Sequence, residues 1–315
     1  FDQNGACIMS FSGPTRAPDV WKWNPATKEM KQLTFSIYAG IDRGMFRDPQ
    51  LIRYKSFDGR EIPAFLYLPP NYKKGQPVPF IVDAHGGPEG QFRPDFIRNF
   101  QYLMLNGYGI LAPNPRGSTT YGQDFANIIQ HHYPGDDAKD LLIGVDEMVK
   151  RGWADPAKLA VTGGSGGGVL TNWIVTHDQR FKAAASQRSI ADWAGFWYTA
   201  DFVLFQPTWF KAAPWEDPKD FAARSAITFV ANVTTPLMLI EGEEDLRTPP
   251  SDGGEQMFRA LKYRKIDTVM VRFPGESHEL SRSGRLSHRV ERLRHIVGWF
   301  DKYIMGASKP EYDVR

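Results

Sequence analysis

At 315 residues, with 42% hydrophobic and 23% charged side chains, the chain has an ordinary globular composition and can bury a full core. Its net charge of +2 gives no electrostatic reason for nucleic acid or an anionic membrane as partner, and no run of about 18 apolar residues marks a transmembrane helix. A single cysteine, Cys7, excludes an intramolecular disulfide framework, supplies no metal cluster and fits a reducing, cytoplasmic compartment.

The chain opens on Phe1 with no signal-like segment. The stretch ACIMSFSGPTRAPDVWKWNPATKEMKQLT predicts three short strands, the last two a hairpin with residues 24–29 as its loop. Such a piece resembles part of a propeller blade, which takes four strands and roughly 40–45 residues. A partial blade cannot bury its own faces. The expectation is therefore that residues 1–45 end an N-terminal β-propeller and that residues 46–315 form a second domain. On that reading the chain is the C-terminal part of a longer protein.

From Asp48 the pattern changes. LIRYKSFDGREIPAFLYLPP predicts a hairpin turning at Asp58-Gly59. The apolar runs FIVDA, GYGILAP, LAVT, PLMLIEG and TVMVRF follow, with helical stretches between them. Alternating strands and helices predict an α/β fold with a mostly parallel sheet covered on both faces. Ligand sites in such sheets lie beyond the carboxyl ends of the strands.

Those ends carry His85-Gly86-Gly87-Pro88, then Asn114 to Ser118, a glycine turn around Ser165, the acids Glu243, Glu244 and Asp245, and finally Ser277-His278. The glycine turn sits between a β-branched run and a helical face formed by Val169, Leu170, Trp173 and Ile174. A phosphate-binding loop would need lysine followed by serine or threonine after the last glycine, and none follows. A nucleophile elbow needs Gly-x-Ser-x-Gly, and Gly163, Ser165 and Gly167 fit it.

Ser165, Asp245 and His278 follow the chain order of the α/β-hydrolases, with room for one helix and one strand between acid and base. A serine hydroxyl needs a base to take its proton, and the base needs an acid to fix its tautomer and stabilise its cation. Position alone does not separate Asp245 from Glu243 and Glu244. The oxyanion formed by attack needs amides already aimed at it. Gly166 supplies one of them and the His85-Gly86-Gly87 turn the other.

The motifs HGGPEG, NPRGSTTYGQDF, TGGSGGG, SQRS, TPLMLIEGEEDLRTP and FPGESHELSRSG resemble the prolyl oligopeptidase family of serine peptidases, in its acylaminoacyl-peptidase-like branch. The resemblance covers nearly the whole chain, including the propeller end. It implies Ser165 as nucleophile, Asp245 as acid and His278 as base, and it places the oxyanion amides on Gly87 and Gly166, with Gly86 as competitor. Arg247 falls where relatives bind a substrate backbone carbonyl. The family usually has tyrosine after the nucleophile, so Gly166 implies a lost pocket wall and extra room beside Ser165, unless Trp197 or Tyr198 refills it.

Nine aromatic residues lie in one stretch: Trp193, Phe196, Trp197, Tyr198, Phe202, Phe205, Trp209, Phe210 and Trp215. Core packing accounts for most. The resemblance adds a pocket for the side chain before the cleaved bond, with Trp193, Trp197 and Tyr198 as its candidates. Of the other histidines, His85 is expected to support the oxyanion turn. His131, His132 and His177 fit surface roles, and His288 and His295 fit a terminal helix. The basic run SRSGRLSHRVERLRH reads as a solvated helix face in preference to an anion site.

The resemblance thus implies cleavage of short peptides through an acyl-enzyme, without metal or organic cofactor. The implied partners are the peptide substrate and the rest of the propeller, and homo-oligomerisation stays open. A carboxylesterase of the same fold, an isopeptidase for constrained peptides and a non-catalytic binding module remain alternatives, because the triad does not distinguish amide from ester.

Overall fold

The computed structural model describes residues 1–3, 5–202 and 208–313. Three strands, β1 Cys7–Gly13, β2 Arg16–Trp23 and β3 Met30–Gln32, form an antiparallel sheet of their own. Trp23 pairs with Met30, so the hairpin loop is the expected one. Ile8, Phe11, Val20, Trp23 and Met30 are all more than a third exposed. This sheet is tied to the rest through Gln101, whose amide reaches the carbonyls of Pro14 at 3.0 Å and Arg47 at 2.9 Å.

Among the described residues the main sheet has eight strands: β4 Gln50–Lys55, β5 Glu61–Tyr67, β6 Val78–Ala84, β7 Gly109–Pro113, β8 Ala154–Gly164, β9 Ala183–Gln187, β10 Leu237–Gly242 and β11 Thr268–Phe273. Their order is β11-β10-β9-β8-β6-β7-β5-β4. From β11 to β7 every pairing is parallel, and the β4–β5 hairpin closes the other edge antiparallel. The expected α/β-hydrolase architecture is therefore present. One strand, β9, was not expected.

Among the described residues eight α-helices complete it: α1 Arg98–Leu105, α2 Gln123–Asn127, α3 Asp136–Lys150, α4 Gly166–His177, α5 Trp193–Thr199, α6 Pro218–Arg224, α7 Gly254–Tyr263 and α8 Leu286–Phe300. Alternate strand residues feed two cores, as the period of two requires. Leu159, Val161, Leu237 and Leu239 pack with α3, α4 and α7 on one face. Ile81, Ala160, Met238 and Ile240 pack with α1 and α8 on the other. Both faces are dry, so the parallel strands read as continuous apolar runs. No helix among the described residues is long and apolar enough to cross a membrane.

Beneath the site a buried ion pair fixes the loop after β7. Arg116 donates through Nε and Nη2 to both oxygens of Asp140 on α3, each at 2.9 Å, and Asp140 also accepts from Ser56 Oγ and from the Arg116 amide. Arg116 Nη1 and Nη2 also donate to Asp58, each at 3.2 Å, but Asp140 is its one fully buried carboxylate, and removing it takes away the counter-charge that lies out of water. Asp140→Ala is expected to cost about 3–5 kcal/mol, read as a lower urea midpoint at unchanged slope. A loss below about 1 kcal/mol would show that solvent or a neighbour replaces the carboxylate.

Candidate active site

Ser165 stands where β8 turns into α4, with φ 59° and ψ −125°. A non-glycine residue seldom adopts a positive φ, and holding one there costs about 1–3 kcal/mol. The surroundings enforce it by close packing: a Cβ on Gly167 would lie 1.9 Å from the Ala84 carbonyl oxygen. The turn lifts the Ser165 hydroxyl above the carboxyl edge of the sheet.

His278 comes from the loop after β11, and its Nε2 lies 2.9 Å from Ser165 Oγ. Its Nδ1 donates to Asp245 Oδ2 at 2.8 Å. Asp245 sits on the turn after β10 with its side chain fully buried. Its other oxygen accepts from the amides of Arg247 and Thr248, both at 2.9 Å, which fixes the carboxylate toward the imidazole. Thr248 Oγ1, also within 3.1 Å of Asp245 Oδ2, donates to the Arg188 carbonyl. Glu243 instead pairs with Arg272, and Glu244 lines the cavity without contacting the ring. The carboxylate that meets the histidine is thus Asp245.

Gly87, at φ 131°, faces the start of α4. A Cβ on Gly166 would lie 2.7 Å from the Gly87 oxygen and 2.9 Å from its nitrogen. The expected extra room beside Ser165 is therefore absent. Neither Trp197 nor Tyr198 takes it up; the backbone of the Gly86-Gly87 turn does, and glycine at 166 permits that approach. Among the described residues, neither Gly87 nor Gly166 donates a backbone hydrogen bond to another carbonyl, so both amides are available to a ligand. His85 supports the turn. Its Nδ1 donates to the Gly86 carbonyl at 2.8 Å and its Nε2 meets Ser118 Oγ at 2.9 Å, while burial holds its pKa below the usual imidazole value.

A cavity of about 1030 Å³ opens at Ser165. On the α4 side Tyr133, Val169, Ile190, Trp193, Phe196 and Trp209 wall it. Tyr133, not singled out in the sequence, donates from its hydroxyl to the Gly166 carbonyl at 2.7 Å. Of the three aromatic candidates only Trp193 lines the cavity. Trp197 packs on Phe221, and Tyr198, 61% exposed, stacks on Trp215. The helical turn of α5 explains this, since Trp193 and Phe196 share its inward face. Phe205 lies outside the described residues. Arg247 lines the cavity mouth with its guanidinium on Asp201 and over the Phe202 ring at 4.4 Å.

One residue of the basic run, Arg292, contradicts the solvated reading, and a second arginine, Arg188 of the SQRS motif, is buried beside the site. Arg292 on α8 is only 3% exposed, and Arg188, directly after β9, is 9% exposed. Both line the cavity. Three of the remaining histidines are engaged elsewhere: His288 pairs with Glu276, His295 meets the Tyr312 hydroxyl, and His177 stacks on Trp173.

This geometry can take a proton from a serine hydroxyl, hold the resulting imidazolium, and present two amides to a developing oxyanion. The profile of the prolyl oligopeptidase family matches residues 94–307. The uncharacterized peptidase YuxL of Bacillus subtilis (strain 168) is 38% identical over 94% of this chain and 45% of its own. The acylamino-acid-releasing enzyme of Arabidopsis thaliana is 33% identical over 73% of this chain and 31% of its own. The solved Pyrococcus horikoshii acylaminoacyl peptidase superposes with a TM-score of 0.87 at 28% identity, over 97% of this chain and 49% of its own. The chain thus spans less than half the length of these relatives.

Proposed function

The chain belongs to the prolyl oligopeptidase family, and on that premise we propose that it is the catalytic part of a serine peptidase acting on short peptides. Ser165 Oγ attacks the scissile carbonyl while His278 Nε2 takes its proton. Asp245 holds the imidazole and stabilises its cation. The Gly87 and Gly166 amides receive the oxyanion. His278 then returns the proton to the departing amine, and water resolves the acyl-enzyme by the same steps in reverse. Arg247 anchors a substrate backbone carbonyl, and the wall around Trp193 receives an apolar or aromatic side chain. The chemistry needs no metal or organic cofactor.

The reading rests above all on the continuous relay from Ser165 through His278 to Asp245, at 2.9 and 2.8 Å. Asp245→Asn is expected to lower kcat by about 10⁴-fold, because the amide can hold the wrong tautomer. Steady-state kinetics on the variant checks this. Residues 1–45, as the end of a propeller completed by the rest of the protein, would restrict substrate size, with residues 46–315 as the hydrolase domain. Acylaminoacyl-, oligo- and dipeptidyl-peptidase specificity all fit this site. We place the protein in the cytoplasm.

A carboxylesterase uses the same groups. Matched ester and amide substrates, differing only at the scissile atom, separate the two: measurable amide turnover at Ser165 supports the peptidase, and ester turnover alone sinks it.

A further inference from the structure

The cavity does not stop at the triad. It continues over the sheet edge to the α8 face, where Asp83, next to the end of β6, and Gln187, the last residue of β9, lie on the side of Ile81 and Ala185. Two buried arginines, Arg188 and Arg292, line this part of it, near enough for Arg292 to act on the charge of Arg188. Neither forms an ion pair with a carboxylate among the described residues. Arg188 Nη2 donates to Ser281 Oγ at 2.9 Å, and its Nη1 lies 3.4 Å from His278 Nε2. Arg292 Nη1 donates to the Gln187 amide oxygen, while its buried Nε has no partner.

Buried charges are normally paired, because desolvation outweighs what a few neutral hydrogen bonds return. Burial, reinforced by Arg282 and Arg292, pushes Arg188 down to about 10, and burial does the same to Arg292. Asp83 attracts Arg292 but is itself pushed up to about 7 by burial, so it supplies only part of one counter-charge near neutral pH. Asp245 and Glu279 attract Arg188 as well, but among the described residues no carboxylate comes within hydrogen-bond reach of either guanidinium, which leaves the partnerless Arg292 Nε open to a ligand carboxylate.

We propose that Arg188 and Arg292 form a carboxylate subsite on the leaving-group side, which favours peptides whose free C-terminal carboxylate follows the cleaved bond within one or two residues. The proposal rests on the peptidase reading above. His278 Nε2 must hand its proton to the departing amine, and Arg188 approaches that same nitrogen. Whatever the amine carries is therefore delivered beside the guanidinium. The planar forks of two arginines match a carboxylate in a way that ammonium groups do not. An acidic side chain on the departing residue offers the same chemistry, so the test must separate the two sources.

The experiment uses the full-length protein and three peptides with a common acyl side, ending in alanine acid, alanine amide or aspartate amide. The acid is expected to exceed the alanine amide in kcat/KM by about 10–100-fold, the span of a charge-assisted hydrogen bond. Arg292→Gln should collapse that ratio toward one, and Arg292→Lys should keep part of it. A ratio near one in the unaltered protein overturns the proposal, as does a large ratio that Arg188→Gln and Arg292→Gln both leave intact. Fastest cleavage of the aspartate amide overturns the C-terminal form. If no peptide is cleaved and Ser165 takes up no fluorophosphonate, the peptidase reading has failed. Calorimetry with alanyl-alanine against its amide then decides the subsite by itself: preferential binding of the acid, lost in Arg292→Gln, supports it, and equal binding ends it.

Discussion

Ser165→Ala is expected to lower kcat by about 10⁶-fold, as removal of a nucleophile does when the rest of the machinery stays in place. The residue left behind keeps the same backbone burden at φ 59°, since alanine and serine share a Cβ. Folding stability should change by no more than about 1 kcal/mol, the typical net worth of the lost hydrogen bond to His278. Substrate affinity should persist, because neither Arg247 nor the Trp193 wall depends on the hydroxyl. A variant that retains a tenth of the activity would assign the chemistry to another group.

Gly166→Tyr is expected to depress turnover of every substrate, large or small, by about 10²–10³-fold. Tyrosine is the residue the family resemblance implies at this position, but here its Cβ would meet Gly87 N and O at 2.9 and 2.7 Å. Backbone, not a flexible side-chain tip, must give way. The amide that moves is one of the two aimed at the oxyanion, and an oxyanion donor displaced is close to one removed. The loss should fall on kcat, because the donor acts mainly on charge that develops in the transition state. A selective loss on bulky substrates would instead restore the extra-room expectation that the structure overturns.

The elements legible in the sequence are those whose chemistry is local. Glycines flanking Ser165, acids directly after β10 and His278 directly after β11 each carry their signal within a few residues. Strand β9 carries none. Its AAASQ has no β-branched or large apolar residue, because α4 packs against it so closely that a Cβ on Gly168 would lie 2.7 Å from the Gln187 carbonyl. Without that strand Arg188 belongs to no sheet end, although SQRS is among the motifs that carry the family resemblance. Arg292 was hidden differently. It lies among exposed arginines on α8, and only the fold brings it to Gln187. Thr248 acts through hydrogen bonds to Asp245 and the Arg188 carbonyl and Tyr133 through one to the Gly166 carbonyl, relations that no spacing rule reports. The close approach of Gly87 to Gly166 likewise exists only once β6 and β8 are paired.

Activation of Ser165 by His278 is the step on which catalysis depends, and covalent mapping tests it most directly. The protein is treated with a fluorophosphonate, digested, and its modified peptide identified by mass. A single adduct on Ser165, formed rapidly in the unaltered protein and slowed by at least about 10³-fold in His278→Ala, is the expected result. An adduct on a different residue, or labelling of Ser165 at the same rate without His278, would contradict it.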